Sequence, residues 1–544
     1  MNRIQKLKDM KWYQWIDAIL VSLISLSVIL FILVPFLFVF KESFWSNGQL
    51  TLENFRLIFQ DNLYLIENSL KVAFGATLIG SLAAIAVAVY YYFAGKWERR
   101  LIFAVLAVTM ISPPFITSLS YITMFGRRGY ITYELLGLST SPYGMWGIIL
   151  MQALGAFSLH ALLLIGQMSN MDVSAVNSAR SLGASTTNII KDILLPAIKP
   201  GIKVVVLLTF LASLSDFGTP TIIGGAFDVL ASESYFAVIA EGNLAKAAAI
   251  NVLILLPSLI AFVIYLRSFG GMRMSTKGAT DLREVRVRRT GWLYYLVQAT
   301  AIFFLVWISL QYFSIVLSAF TTKQAGATIF TLQNFVDALP YINDATVRSI
   351  GYSIIAALGG GIIGLLIAYY LKIRKFKWMK SIDFMATLPQ IIPGTFYGIG
   401  YILAFNSPPL KLTGTALIVI LNVLFKELPF STKVGAAAME DISQASLNSV
   451  SDLGGSHINE VTDVIVPVSR NALSVSFVNG FTSTMNTVGS IIFLVTPSTK
   501  LLTLVLFEVV QSGKYDLASV IALIMLLICL IANGLFMLLS RRRA

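Results

Sequence analysis

Asn177-Ser-Ala-Arg-Ser-Leu-Gly183 and Asn448-Ser-Val-Ser-Asp-Leu-Gly454 are near copies, and each is followed thirteen residues later by a proline, Pro196 or Pro467. They lie 271 residues apart in a chain of 544, so the chain reads as one module written twice. Each copy is polar, centred on glycine, and closed by an apolar run and proline: Ile193-Leu-Leu-Pro196 and Val464-Ile-Val-Pro467. The pattern predicts a helix, a bend that glycine permits, and a second helix stopped by proline. Each sits between long hydrophobic segments, which makes it a loop held against a membrane face.

The repeat extends outward from these loops. Thr51-Leu-Glu-Asn-Phe55 returns as Thr331-Leu-Gln-Asn-Phe335, Pro113 as Pro393 and Tyr121 as Tyr401, all at an offset of 280. The offset falls to 271 by the polar loop, so the first copy carries about nine extra residues near Arg127 to Tyr143. Ala76, Gly80 and Ala84 match Ala356, Gly360 and Gly364, a small-residue spacing that lets membrane helices approach closely.

Hydrophobic residues make up 57% of the chain and charged residues 12%, with mean hydropathy +0.79. A soluble globular chain carries about 25% charge, so composition alone points to a polytopic membrane protein. Crossing a ~30 Å hydrocarbon core takes ~20 helical residues. Runs of that kind occur near 17–40, 67–94, 101–125, 143–168, 201–223, 248–267, 291–320, 349–371, 383–405, 413–432, 472–495 and 516–540, giving twelve predicted spans, six per half. The expected division is a first module over 1–266 (core about 63–266, loop 172–200), a basic linker over 267–290, and a second module over 291–544 (core about 344–538, loop 443–471).

With the N-terminus inside, 29 of 40 Lys and Arg fall in segments on the cytoplasmic side, which is where basic residues accumulate. Both termini are therefore expected in the cytoplasm. The same bias accounts for the net charge of +13 without any nucleic acid. Arg283, Arg286, Arg288 and Arg289 in the linker set topology, and membrane lipid is a candidate partner for them at ~1 kcal/mol per residue. Cys529 is the single cysteine and His160 and His457 the only histidines, so neither a disulfide framework nor a Cys/His metal site is expected. No convergent catalytic set stands out, and the chain reads as a non-enzyme.

The loop pattern, Asn177-Ser178-Ala179, Gly183-Ala184, Ile190, Ile193 and Leu195-Pro196, resembles the EAA loop of binding-protein-dependent ABC importer permeases. The second copy supplies Asn448, Ser449, Gly454, Gly455 and Pro467. The acidic residue that names the loop is Asn in both copies, so docking there is expected to rest on apolar contacts and neutral hydrogen bonds. Ser213-Leu-Ser-Asp-Phe-Gly-Thr-Pro220, Ile392-Pro-Gly-Thr395, Gly398-Ile-Gly-Tyr401 and Ile491-Ile-Phe-Leu-Val-Thr-Pro497 resemble the fused double permeases of ferric-iron ABC importers over nearly the whole chain. Related fused permeases are assigned to thiamine, phosphonates or sugar phosphates.

The resemblance implies an all-α integral membrane protein of the bacterial inner membrane: two tandem six-helix type I importer modules forming the path for iron. It also implies two kinds of partner, a cytoplasmic ABC ATPase dimer on the two loops and an extracytoplasmic substrate-binding protein. No G-x-x-x-x-G-K-[ST] occurs in the chain, so ATP and Mg belong to the partner ATPase and no cofactor is expected here. A twelve-helix secondary transporter is the rival class; it would not need two docking loops.

Asp216 lies about 16 residues beyond Pro200, ~24 Å along a helix. An ionisable group at such depth costs ~2.5–3.5 kcal/mol facing lipid and is expected to face the protein interior. The 271 offset pairs it with Thr487, beside Asn486. Two readings stand side by side: these residues line the translocation path, or Asp216 satisfies backbone groups at a helix break before Pro220. Lys426-Glu427 reads as a self-neutralising pair near the cytoplasmic end of the tenth span.

Overall fold

The computed structural model describes residues 12–46, 48–138, 141–169, 171–269, 289–324 and 327–541. Most of the basic linker, the leading basic residues and the last three residues lie outside this set, so the expectations placed on Arg283, Arg286 and Arg288 and on the termini lie there too.

Among the described residues, seven helices are long and apolar enough to cross a membrane, and eleven if each sharply bent pair counts as one span. Eleven of the twelve predicted runs find a counterpart among these. The tenth, 413–432, does not, because it breaks at Glu427 into Ala416–Lys426 and Leu428–Glu440. The predicted third and ninth spans are bent by 107° and 116° at Pro-containing breaks, Lys96–Ile111 with Ile116–Leu135 and Met379–Gln390 with Gly394–Phe405. Proline lacks the N–H that would carry the helix through.

The repeat survives in three dimensions. Each half opens with a long lead helix, Trp15–Ser43 or Trp292–Phe320, and short strands follow, Trp45–Ser46 and Gln49–Leu50 or Thr321–Gln324 and Ala327–Phe330. The next helix starts at a threonine whose hydroxyl accepts from the backbone two residues on: Thr51 from Glu53 N–H at 3.1 Å, Thr331 from Gln333 N–H at 3.0 Å. The matched small residues lie where helices meet. A Cβ on Gly80 would sit 3.0 Å from the Ala153 carbonyl oxygen, and one on Gly364 would sit 2.6 Å from Ser431 Cβ.

The compact units do not follow the sequence halves. One unit holds 50–340 with 506–526; the other holds 1–49, 341–505 and 527–544. Each lead helix thus packs among helices of the opposite half. Pro35 shows why the first one does. Its missing N–H leaves the Phe31 carbonyl without a helical donor, and Tyr397 and Tyr401 donate to that oxygen at 2.8 and 2.9 Å. Gly400 permits the approach, since a Cβ there would lie 2.7 Å from the Pro35 carbonyl oxygen. The modules expected from sequence are therefore repeats of sequence, with the boundary of packing drawn elsewhere.

Candidate functional site

Both polar loops fold as helix, turn and helix. In the first, Val173–Ser181 ends at Gly183, whose φ is +82°, with Ala184 N–H donating to the Ala179 carbonyl at 2.9 Å. In the second, Gln444–Asp452 ends at Gly454, φ +77°, with Gly455 N–H donating to the Val450 carbonyl at 2.8 Å. A bond back over five residues across a left-handed glycine closes a helix C-terminus. The next helix starts at a matched serine: Ser185 Oγ accepts from Asn188 N–H at 3.2 Å, and Ser456 N–H donates to Asn459 Oδ1 at 3.0 Å. At the start of the first loop, Asp172 accepts from the hydroxyl and backbone N–H of Ser174, which holds its carboxyl below the usual range.

The expected proline stop is not what the structure shows. Pro196 lies in the first turn of Leu195–Ser215, and one helix runs from Thr186 to Ser215. A π-helical turn, Ile189–Leu194, precedes it; Glu460–Ile465 precedes Pro467 and Ile29–Leu33 precedes Pro35 in the same way. The wider turn moves aside the carbonyl that the proline ring would strike, so the chain passes through. Only the second copy then bends, by 71°, between His457–Val468 and Arg470–Asn486.

Asn177, Ser178, Gly183, Asn448, Ser449 and Gly454 are exposed; Ala179, Ala184, Leu195, Gly455 and Pro467 are half-buried, and Pro196 is exposed. Sequence reasoning passed over the side chains that stand out most, Leu182 and Leu453, which are 88% and 89% exposed at the two bends. Their repeat at the 271 offset was the available signal.

The loops are tied down by different chemistry. Lys191 of the first stands 5.7 Å over the Trp292 ring of a lead helix. In the second, Arg374 donates to His457 Nε2 at 2.7 Å and to Asp17 Oδ2 at 3.3 Å. The His457 Nδ1 and Glu460 Oε1 atoms are 3.0 Å apart, Tyr369 donates to Glu460 at 3.1 Å, and Tyr370 donates to Asp17 at 2.6 Å. With Nε2 accepting from the guanidinium, Nδ1 carries the imidazole proton and donates it to Glu460. Replacing Arg374 by Gln is expected to cost ~1–2 kcal/mol locally in this largely buried network. Amide exchange across 457–465 should rise while that across 186–194 stays at the wild-type rate.

Asp216 follows the end of Leu195–Ser215 in extended conformation, φ −82° and ψ 107°. Its Oδ1 accepts from the backbone N–H groups of Gly218 and Thr219 at 3.0 and 3.2 Å, and its Oδ2 from Gln152 Nε2 at 3.1 Å. Gln152 Oε1 in turn accepts from the Ser213 hydroxyl at 2.5 Å. The same carboxylate lines a cavity of about 310 Å³. Asp216 is thus both a bracket for a helix break and a wall of an internal space. Two further breaks reach that cavity, at Ser112–Phe115 and at Ala156. Phe115 adopts φ +69° there, and its ring occupies the space that a Cβ on Gly218 would need, 2.2 Å away.

Thr487 ends Arg470–Asn486 with φ −72° and ψ 134°, the counterpart of the Asp216 break. It is buried and its hydroxyl accepts from Lys426 Nζ at 3.5 Å, while Asn486 beside it is half-buried. Ser483 donates to Glu427 Oε1 at 2.5 Å. Lys426 and Glu427 therefore each engage a hydroxyl near the end of that helix, at the break of their own helix, in addition to being chain neighbours of opposite charge.

Comparison with known proteins matches residues 76–273 to a family described as "Binding-protein-dependent transport system inner membrane component". The chain is 28% identical over 550 residues to the ferric transport system permease protein FbpB of Actinobacillus pleuropneumoniae, covering 96% of this chain and 79% of that protein. It is 29% identical over 517 residues to the putative ferric transport system permease protein FbpB 1 of Haemophilus influenzae, covering 91% and 80%. It is also 25% identical over 268 residues to the putative 2-aminoethylphosphonate transport system permease protein PhnU of Salmonella typhimurium, covering 44% and 92%.

Proposed function

Since the chain belongs to the binding-protein-dependent transport system inner membrane components, we propose that it is the double-length permease of an ATP-driven importer, with ferric iron as cargo. The observation that carries the coupling half of this reading is the pair of loops with one geometry, each ending a helix at a left-handed glycine and presenting an exposed leucine, Leu182 or Leu453. Two equal knobs suit a two-fold ATPase dimer on the cytoplasmic face. Because the first loop continues as one helix into Ser215, a push on the knob reaches the Asp216 break along a rigid rod. An extracytoplasmic binding protein delivers the cargo, both termini lie in the cytoplasm, and Asp216, Asn486 and Thr487 line the path.

Iron is favoured over phosphonate because the ferric permeases share the double length, matching over 96% and 91% of the chain at 28% and 29% identity, whereas the phosphonate permease, itself matched over 92%, aligns with 44% of the chain at 25%. Uptake of radiolabelled ferric citrate by cells expressing the complete transporter, with 2-aminoethylphosphonate as competitor, tests the cargo. Phosphonate uptake without iron uptake would reverse the assignment.

Gly183→Val and Gly454→Val test the coupling. Nothing lies within 4 Å of a Cβ at either position, so the substitution acts through the left-handed backbone alone, at ~1–2 kcal/mol. Both variants are expected to reach the membrane and to lose transport-coupled ATP hydrolysis. Wild-type uptake by both would mean that the bends transmit nothing.

A further inference from the structure

We infer that the cavity at the three helix breaks is a transit site for a hard, oxygen-seeking metal cation, held by Asp216 and Gln311. The inference rests on the proposed path and adds the chemistry of its cargo.

The cavity lining contains one carboxylate, that of Asp216, and no Lys, Arg or His. An ionised carboxylate between membrane helices is stabilised by a counter-charge and otherwise takes up a proton. Its donors are the amide N–H groups of Gly218, Thr219 and Gln152 and the Thr219 hydroxyl, which orient it without bringing a positive charge. The counter-charge is therefore left to whatever enters the space.

A second observation is independent of Asp216. Gln311, on Trp292–Phe320, is 1% exposed and lines the same cavity. Its Nε2 points to Met151 Sδ at 3.5 Å, and its Oε1 has no hydrogen-bond partner. A buried amide oxygen without a donor is costly and uncommon in a folded protein, and an entering ligand that brings positive charge or its own water donors removes the cost.

The other polar groups on the wall are mostly hydroxyls, among them Ser158, Ser213, Thr219 and Tyr312. Carboxylate, amide oxygen and hydroxyl are the donor set that hard cations take. A phosphonate would meet the same wall as repulsion, with no guanidinium or ammonium to receive its charge. Among the described residues no three His, Cys, Asp or Glu side chains converge as a metal site. The cavity therefore offers few charged ligands, as a site must that releases its cargo at every cycle.

The test is titration of the purified full-length permease in zwitterionic nanodiscs with Tb³⁺, reading luminescence sensitised by aromatic side chains; Tyr312 lies on the cavity wall. One saturable phase, displaced by ferric citrate, is expected. Gln311→Leu should weaken it about tenfold or more and Gln311→Glu should tighten it by a similar factor. Gln311 takes no part in the helix break, so neither variant depends on Asp216 for folding. Absence of a saturable phase, or identical titrations for wild type and both variants, overturns the inference. Displacement by 2-aminoethylphosphonate in place of ferric citrate does so too. Uptake by Asp216→Asn separates the two claims. Normal uptake by that variant would take Asp216 off the path and overturn the transit role, even with the wild-type cation phase intact. Lost uptake with no cation phase in the wild type would leave the path and remove the cation.

Discussion

Gly364→Val is expected to prevent accumulation of the folded permease, whereas Gly351→Ala on the same helix should be neutral or mildly stabilising. A Cβ on Gly364 would lie 2.6 Å from Ser431 Cβ, 2.7 Å from its carbonyl carbon and 2.9 Å from Thr432 N, and a Cβ on Gly351 would meet nothing within 4 Å. Two of the three atoms facing Gly364 are backbone in Leu428–Glu440, so no rotamer change relieves the clash and the helices must separate. Overpacking of this kind costs ~1–3 kcal/mol, and more where backbone cannot yield. Separation would also pull on Ser431, whose hydroxyl lies 2.7 Å from that of Ser476. Gly351→Ala instead gains helix propensity, roughly 0.5–1 kcal/mol at an open position. Expression level and thermal midpoint in detergent for the two variants check this. Equal midpoints would show that the small-residue stripe is not a packing surface.

Asp216→Leu should be the most damaging single change at the cavity, and Asp216→Asn the most informative. Leucine removes the acceptor for two backbone N–H groups and for Gln152, at ~1–3 kcal/mol for each donor left without water. Asparagine keeps one acceptor oxygen for Gly218 and Thr219 and gives up the charge. A lower thermal midpoint for Leu than for Asn is therefore expected, and wild-type stability in both would mean that the carboxylate does not hold the break. Uptake by the Asn variant is expected to fall even where its stability is kept, because the proposed path relies on the charge. Stable Asn protein with full transport would reduce Asp216 to a structural bracket and leave Asn486 and Thr487 without their main support as path residues.

Much of this site was legible in the chain because it is written twice. The offset of 271 found both loops, the glycines at both bends and the pairing of Asp216 with Thr487, and all of these have matched backbone geometry. Local chemistry suffices for such features: a left-handed bend selects glycine, and a capping serine sits where the next helix starts.

Other features depend on neighbours remote in sequence. Pro196 reads as a stop because proline cannot continue an α-helix, yet a π-turn upstream lets the helix pass, and only the packed chain shows that turn. At the break of the tenth predicted span, which Pro429 marks locally, Lys426 and Glu427 reach Thr487 and Ser483, partners about 60 residues away. Hydropathy could not pair Trp15–Ser43 with the helices of the second half either. That choice rests on the Phe31 carbonyl left without a donor by Pro35 and on tyrosines 366 and 370 residues downstream. By itself the sequence determined the membrane class, the duplication and the two glycine bends, because composition and local backbone preference decide them. Which half each lead helix joins, and that three breaks share a cavity with Gln311, only tertiary structure decided, because those depend on where unsatisfied polar groups find one another once the chain has packed.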